Sequence, residues 1–489
     1  MSMQDPATAP YRWRWAALAV VLVAEAMNLL DSTIVTVAAP VIHTRLPGPD
    51  SDIQWFSAAY TLPFAVLLIA GGRIGDLVGR GRVFRIGVAG FVAASVCCAF
   101  APSAGLLIAA RVIQGSAAAI VIPQTLGLIR GMFDGADMAK ALGSIGPVMG
   151  LSAICGPLLG GLLTHADLFG SSWRSVFLVN VPLGIAVLIG SQLIRDDRTA
   201  PQARLDLLGT MIAILGAGLV VYPLIDSANW SAGSWGVLGA GAGILVVFGF
   251  HQRHRARRRR SPLVEPSLFQ NRGFPAALVT STVFFAMMNG LMLVIVLQLQ
   301  LGLHTDVRTA GLTLVPWSAG SAVSSAVAGA YLVPLYGSRV MFAGLPIVLA
   351  GTIGAVSVYA TSSPTAYPWA LLPALAVSGV GLGLFTVPFF TTALHRVRPR
   401  ETGSAAGLLN AVQQFGGTLG IALFGSVFFH AAGGAGPRAA AALDGAQHAC
   451  WIAMGLIIVT GLTAALMIPR RTVPAQPSQE SSAPTAVVG

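Results

Sequence analysis

Apolar residues occupy long blocks of this chain, separated by short polar segments, and this pattern predicts membrane-spanning helices. Fourteen blocks come close to or exceed the roughly 20 residues that a helix needs to cross a bilayer. They extend approximately over residues 15–39, 54–72, 83–101, 106–128, 142–163, 174–194, 206–225, 234–251, 275–297, 309–333, 340–360, 368–391, 403–430 and 449–469. A membrane barrel would instead show ~10-residue alternating strands. The predicted fold class is therefore an all-α polytopic membrane protein.

Composition supports this class and excludes several others. The chain is 55% hydrophobic and 10% charged, whereas a soluble protein carries roughly 25% charged residues. The four cysteines, Cys97, Cys98, Cys155 and Cys450, lack metal-ligand spacing, and we expect neither a disulfide nor a metal site. The first block is longer than the 7–15 apolar residues of a signal peptide, so we expect a retained span.

The net charge of +11 collects in alternate loops. By the positive-inside rule, this asymmetry predicts a multi-pass protein of the inner or plasma membrane with both termini cytoplasmic. This distribution of charge argues against nucleic acid as a partner, although the same net charge on a soluble protein would suggest one. The basic run at 253–260 either binds anionic lipid head groups or only sets the topology.

A weak internal repeat suggests how the spans are organised. Gly143 and Gly156 lie thirteen residues apart in the fifth block, as Gly407 and Gly420 do in the thirteenth. Parallel halves of a transporter would show such a repeat. The predicted organisation, in order, is a six-helix half, a linker with two inserted membrane helices, a second six-helix half and a disordered cytoplasmic tail, over residues 1–194, 195–272, 273–470 and 471–489.

Three charged residues fall inside predicted spans: Glu25 and Asp31 in the first and Arg111 in the fourth. A charge near the bilayer centre costs at least ~2.5–3.5 kcal/mol. Counting from the span ends places Asp31 and Arg111 at similar depth, where the arginine would keep Asp31 ionised. Glu25 lies six residues, roughly 9 Å, deeper. Burial there favours a protonated carboxyl group, so Glu25 is the better proton carrier on physical grounds. A purely structural role for either carboxylate is the alternative.

The turn between the second and third blocks reads GRIGDLVGRGR from Gly72, and it contains Asp76, Gly79 and Arg80. It resembles the signature loop of the major facilitator superfamily, which acts there as a conformational latch. The fifth block resembles the antiporter motif of that superfamily. Small residues and a proline let helices approach closely and bend. The residues concerned are Gly150, Gly156, Pro157, Gly160 and Gly161.

Further motifs narrow the resemblance. Residues 111–115, RVIQG, look like the superfamily's intramembrane arginine motif. Residues 30–40, LDSTIVTVAAP, are similar to the first-span motif of the fourteen-span drug:proton antiporters, the EmrB/QacA group, with Thr36 and Ala39 as departures. Residues 173–184 match that group's sixth span. The resemblance implies a major facilitator fold of two six-helix halves plus two inserted helices, and it favours Asp31 as the proton-coupling residue.

Polar and aromatic residues at helical depth form a candidate substrate cavity between the halves. Asn410, Gln413 and Gln414 share one helix face because they stand at i, i+3 and i+4. The alternative for each residue is a hydrogen bond that only joins helices. The candidate lining residues are Asn28, Gln114, Phe284, Phe285, Asn289, Gln298, Trp317, Asn410, Gln413 and Gln414.

These observations and the resemblance predict a proton-coupled antiporter that exports hydrophobic, cationic drugs by alternating access. Its expected partners are a drug-like molecule, the proton and the bilayer; we expect a monomer with no cofactor other than the coupling proton. The phosphate-binding pattern G-x-x-x-x-G-K-[ST] is absent and no catalytic triad is recognisable, so an enzyme is not expected. The alternatives are a dedicated exporter of an endogenous antibiotic, siderophore or lipid, a membrane sensor and a proton-coupled uptake carrier.

Overall fold

A computed structural model describes residues 11–167, 170–194, 205–226, 231–258, 260, 262–270, 272–395, 397–398, 401–432 and 437–468. Within these residues, fourteen helices are long and apolar enough to cross a membrane. In chain order, α1 to α14 are Arg14–Arg45, Ser51–Val78, Arg80–Ala99, Ala104–Met132, Lys140–Ala166, Ser172–Leu193, Leu207–Asp226, Ala232–Arg257, Gly273–Gly302, Val307–Tyr336, Arg339–Thr361, Leu371–Leu394, Thr402–Ala432 and Arg438–Met467. The predicted all-α membrane fold is confirmed. Most of the predicted linker and the predicted tail lie outside the described residues.

Several helices extend past the apolar blocks. Helix α1 continues through Pro40 and ends only at Arg45. The connection from α2 to α3 is a single residue, Gly79, with φ of 105°, a conformation that glycine adopts without strain. Two helices contain π-helical turns, at Gln298–Gly302 in α9 and at Ala328–Leu332 in α10. Such turns rotate the side chains that follow them and are common at functional sites.

The first six helices and the last six form two bundles with the same internal pairings. In the first bundle, α1 packs on α5, α2 on α4, and α3 on α4 and α6. In the second bundle, α9 packs on α13, α10 on α12, and α11 on α12 and α14. Each pairing recurs eight helices later, as parallel repeats would produce. Gly156 and Gly420 occupy equivalent positions in the two bundles. A Cβ added at Gly156 would collide with Thr33, and one added at Gly420 would collide with Ala286, each on the first helix of its own bundle.

Helices α7 and α8 pack against each other beside the bundles, and α7 also contacts α2 and α13. Asp206, which precedes α7, holds the base of this pair together. Its carboxylate accepts hydrogen bonds from the Gly209 amide at 3.0 Å and from Gln252 Nε2 at 2.9 Å, and lies 3.1 Å from His251 Nε2 and 3.3 Å from Arg255 Nη1. Burial opposes its ionisation, but these hydrogen bonds and the charge of Arg255 outweigh burial, so the pKa of Asp206 lies below its ordinary value.

Helix α1 begins and α14 ends at the same side of the molecule, which we call the terminal face; the other side is the opposite face. At the opposite face the bundles touch closely: a Cβ added at Gly311 of α10 would lie 2.5 Å from the Pro157 carbonyl oxygen of α5. Further toward the terminal face, a Cβ at Gly150 would meet Ala322 at an ordinary 3.5 Å. At Gly146 it would meet no heavy atom within 4 Å. The gap between α5 and α10 therefore widens toward the terminal face.

Candidate functional site

Asp31 lies at the centre of a fully buried polar network in the first bundle. Its side chain and that of Arg111 are both 0% exposed, and Arg111 Nη1 donates to Asp31 Oδ2. Gln114 Nε2 and Asn180 Nδ2 both donate to Asp31 Oδ1, at 2.8 and 2.7 Å. Ser95 Oγ accepts from the same two amides, at 2.8 and 3.4 Å. Three helices, α1, α4 and α6, therefore meet at one carboxylate, and Ser95 adds α3 to the network around it.

Arg111 is held on several sides. Its Nε donates to the Phe56 carbonyl of α2 at 2.9 Å, and its Nη1 also donates to Gln114 Oε1 at 2.8 Å. The Tyr60 ring lies over the guanidinium, 4.2 Å from centroid to Cζ, which adds a cation–π contact. Arg111 Nη2 and Asn180 Oδ1 are buried without a hydrogen-bond partner among the described residues. A buried charge pair with several added hydrogen bonds fixes its geometry, because losing either partner leaves an uncompensated charge.

Glu25 lies six residues, about one and two-thirds turns, closer to the terminal face on the same helix and has different surroundings. Its side chain is half-buried rather than buried. Its carboxylate accepts one hydrogen bond, from Thr125 Oγ1 of α4 at 3.2 Å. None of the ion pairs that the structure describes includes Glu25. The two carboxylates of α1 therefore differ in charge compensation and in access.

The loop predicted as a latch joins helices of the first bundle. Arg80 Nη2 donates to Asp76 Oδ1 at 2.9 Å, and Arg80 Nε does so at 3.2 Å. The Arg80 guanidinium packs against Gly127 of α4, and Gly72 faces Pro123 of the same helix. These contacts tie α2, α3 and α4 together at the terminal face. The latch role itself stays a prediction.

The glycine-rich helix α5 makes close contacts in two directions. Toward α1, a Cβ added at Gly156 would meet Thr33, and one at Gly160 would lie 3.0 Å from the Ile34 carbonyl oxygen. Toward the second bundle, a Cβ at Gly161 would lie 2.9 Å from the Val307 carbonyl oxygen. The helix therefore lies between the segment that carries Asp31 and the second bundle.

The candidate cavity residues divide into two groups. Those that are buried in this conformation are Gln114, Phe284, Phe285, Gln298 and Trp317. Gln114 belongs to the Asp31 network, and Phe284 stacks on Phe385 with ring centroids 4.0 Å apart. Those with accessible surface are Asn28, Asn289, Asn410, Gln413 and Gln414. Tyr60 Oη donates to Asn28 Oδ1, one helical turn from Glu25.

Three residues near the carboxylates were not predicted to act with them. Asn180 stood only in the sixth-span motif, while Ser95 and Thr125 are small hydroxyl residues in apolar helices. A single side-chain amide inside a membrane span indicates a hydrogen-bond partner nearby, since an unpaired amide is costly in lipid. Hydroxyl residues give no such signal, because each can also bond the carbonyl four residues earlier in its own helix.

Two bundles of six helices with matching pairings, which contact each other at the opposite face and between which α5 and α10 diverge toward the terminal face, define this protein as a two-bundle membrane transporter. Residues 21–421 match the family model described as Major Facilitator Superfamily. The chain belongs to that superfamily.

Sequence relatives and a solved structure agree with this assignment. The chain is 41% identical over 444 residues to a probable actinorhodin transporter of Streptomyces coelicolor, covering 90% of this chain and 76% of that protein. It is 34% identical over 475 residues to the puromycin resistance protein pur8 of Streptomyces alboniger, covering 94% and 92%. The xylose transporter XylE from E. coli, in a partially occluded inward-open conformation, superposes with a TM-score of 0.63 at 12% identity, covering 94% of this chain and 98% of that chain.

Proposed function

We propose that this protein is a proton-coupled antiporter that exports hydrophobic, drug-like molecules, including cationic ones, by alternating access. The observation that supports it most is the contrast between two carboxylates on α1. Asp31 is buried and neutralised by Arg111. Glu25 is half-buried, with a hydroxyl group as its partner. Because no cation compensates Glu25 among the described residues, we assign the transported proton to this carboxyl group.

The exchange follows from competition at one carboxylate. With the gap open at the terminal face, Glu25 releases its proton and the negative charge attracts a cationic substrate. With the opposite face open, a proton from that side neutralises Glu25 and the substrate leaves. Each charge that moves across 100 mV gains about 2.3 kcal/mol, which drives the cycle. The coupling ion is the proton, and the proposal includes no bound cofactor.

Asp31 and Arg111 have a positioning role in this proposal. Their network joins α1 to α2, α4 and α6, so these helices can move as one body. The accessible amides of Asn28, Asn289, Gln413 and Gln414 offer hydrogen bonds to a substrate in the gap. Their spread over both bundles suits a molecule that is released when the bundles rock apart.

The proposed setting is the plasma membrane, with the terminal face in the cytoplasm and the protein acting as a monomer. The loop charges support this orientation. Arg73, Arg80, Arg82 and Arg85 all lie at the terminal face around the connection of α2 and α3. Short loops with such an excess of arginine stay on the cytoplasmic side.

A second candidate is a dedicated exporter of an antibiotic made by the producing cell. It is favoured by the relatives, one named for actinorhodin transport and one for puromycin resistance. Such a protein would use the same coupling residues with a narrower cavity. A growth-inhibition panel of dyes, quaternary ammonium compounds and aromatic antibiotics separates the two, because only a multidrug exporter protects against several unrelated classes.

Dye transport in inverted membrane vesicles tests the proposal. Energised vesicles should accumulate a lipophilic cationic dye, and nigericin, which collapses the pH gradient, should release it. Vesicles without the protein are the control. Accumulation that survives nigericin would exclude coupling to the pH gradient.

A further inference from the structure

Two buried glutamines connect the bundles near the opposite face, each reaching a backbone carbonyl of the other bundle. Gln300 of α9 is 8% exposed, and its Nε2 donates to the Val37 carbonyl of α1 at 2.8 Å. Gln54 of α2 is 1% exposed; with its amide nitrogen toward α13, that nitrogen lies 3.0 Å from the Ala422 carbonyl oxygen and 3.1 Å from that of Ile421. Hydrogen bonding decides this orientation, since the opposite one leaves acceptors facing acceptors.

We infer that Gln54 and Gln300 are gate residues, which hold the opposite face closed through amide-to-carbonyl hydrogen bonds between the bundles. This inference rests on the alternating access proposed above. A hydrogen bond between the bundles must break whenever that face opens, whereas a bond within one bundle moves with it. Gln54 and Gln300 therefore influence the equilibrium between the two conformations directly.

Local structure places the Gln300 amide at a weakened turn of α1. Pro40 has no N–H, so the Thr36 carbonyl lacks its usual donor four residues later. The Val37 carbonyl lies next to this break. Gln300 itself belongs to the π-helical turn Gln298–Gly302. Irregular turns on both helices thus bring one side-chain amide to one backbone carbonyl.

The energies suit a reversible gate. When the face opens, water takes the place of the lost partner of each amide and carbonyl. Hydrogen bonds to water therefore replace the amide-to-carbonyl bond, and the net free-energy cost of opening is small. A hydrogen bond of this type changes an equilibrium by about two- to tenfold. The His165–Asp306 pair also links the bundles at this face, but its side chains are 51% and 46% exposed. Such exposed pairs contribute little, so the glutamines are the stronger candidates.

Gln124 provides a matched control. It is 1% exposed, and its Nε2 donates to the Gly71 carbonyl of α2 at 2.9 Å. The contact has the same chemistry and similar burial, but both partners belong to the first bundle. Gln124→Leu therefore removes an equivalent bond that does not change when the bundles move apart.

The experiment measures the distance between spin labels on the full chain, with no substrate or proton gradient. Labels are placed by Thr44→Cys and Thr365→Cys, exposed positions on the first and second bundles at the opposite face, after the four natural cysteines are replaced by serine. Gln54→Leu and Gln300→Leu should each raise the ratio of long to short distances about two- to tenfold. Gln124→Leu should leave the ratio unchanged.

Unchanged ratios in both gate variants, or an equal rise in Gln124→Leu, would overturn the inference. Should Gln300→Leu fail to fold, Gln300→Asn keeps the amide but shortens its reach by one methylene, and it should show the same rise. Because the measurement needs no transport, it stays informative even if the proton-coupled function is wrong; conversely, loss of dye transport alone would leave the gate intact.

Discussion

The carboxylate of Asp31 and the guanidinium of Arg111 form a fully buried ion pair between α1 and α4. Two side-chain amides complete the coordination of the carboxylate. This arrangement pairs Asp31 with a cation, and the proposed mechanism therefore assigns the exchanged proton to Glu25, on the same helix.

Arg111→Ala should destabilise the protein by about 3–5 kcal/mol, because it leaves Asp31 as a buried charge without its partner. Arg111→Lys should also be defective, since lysine cannot keep the Nε contact to Phe56 together with the contact to Asp31. Thermal unfolding of the purified variants measures the first effect and dye transport the second. An Arg111→Ala variant of normal stability and activity would show that the ion pair contributes neither to the stability of the fold nor to transport.

Thr125→Val should move the pH dependence of transport. The Thr125 hydroxyl donates to the Glu25 carboxylate and so favours its ionised form. Without that donor, the pH of half-maximal transport should rise. Thr125→Ser keeps the hydroxyl and should retain the original profile. Identical profiles for Val and Ser would mean that this hydrogen bond does not influence the coupled proton.

Gly161→Ala should impair closure of the opposite face. The added Cβ would lie 2.9 Å from the Val307 carbonyl oxygen of α10, and a backbone atom there cannot simply rotate away. Gly150→Ala, where the Cβ meets Ala322 at 3.5 Å, should be far better tolerated. Initial rates of dye transport at matched protein levels make the comparison. Equal rates would show that α5 and α10 do not need to approach so closely.

Asp206→Ala should lower the free energy of unfolding of the inserted helices by about 1.5–3 kcal/mol, the range for hydrogen bonds to a charged group. The folded-state pKa of Asp206 is below its ordinary value, so its contribution is complete above the unfolded pKa of about 3.9. It is lost only as the pH falls through the lower folded pKa. Melting curves from neutral to acid pH should therefore show the two proteins converging at low pH. A difference that persists there would contradict the charge argument.

The sequence predicted much of this architecture because lipid imposes strong constraints. Fourteen apolar blocks became fourteen helices, and depth counting brought Asp31 and Arg111 together. Depth counting gives a residue's position along a helix but not the direction in which its side chain points around the helix. Gln114 was predicted to line the cavity; its position three residues after Arg111 places both on one face, and in this structure its amide belongs to the buried network around Asp31.

The contact of Gln300, one of the two proposed gate residues, shows a second limit of prediction from sequence, namely irregular helix geometry. Gln298 and Gln300 stand two residues apart, which in a regular helix directs them to different sides. The sequence offers no sign that a π-helical turn begins at Gln298. The contact between Gln300 and Val37 also joins residues 263 positions apart, so it depends on how the bundles meet. Local pattern determines the helices, whereas the contacts between bundles depend on the whole fold.

Proton release on substrate binding tests the central claim most directly. Purified protein in weakly buffered solution near neutral pH, mixed with a transported cation, should release protons detected by an indicator dye. The account predicts that Glu25→Gln still binds the cation but releases no protons, and that Asp31→Asn variants which remain folded still release them. Proton release that persists in Glu25→Gln and disappears in Asp31→Asn would contradict the account and assign the proton to Asp31.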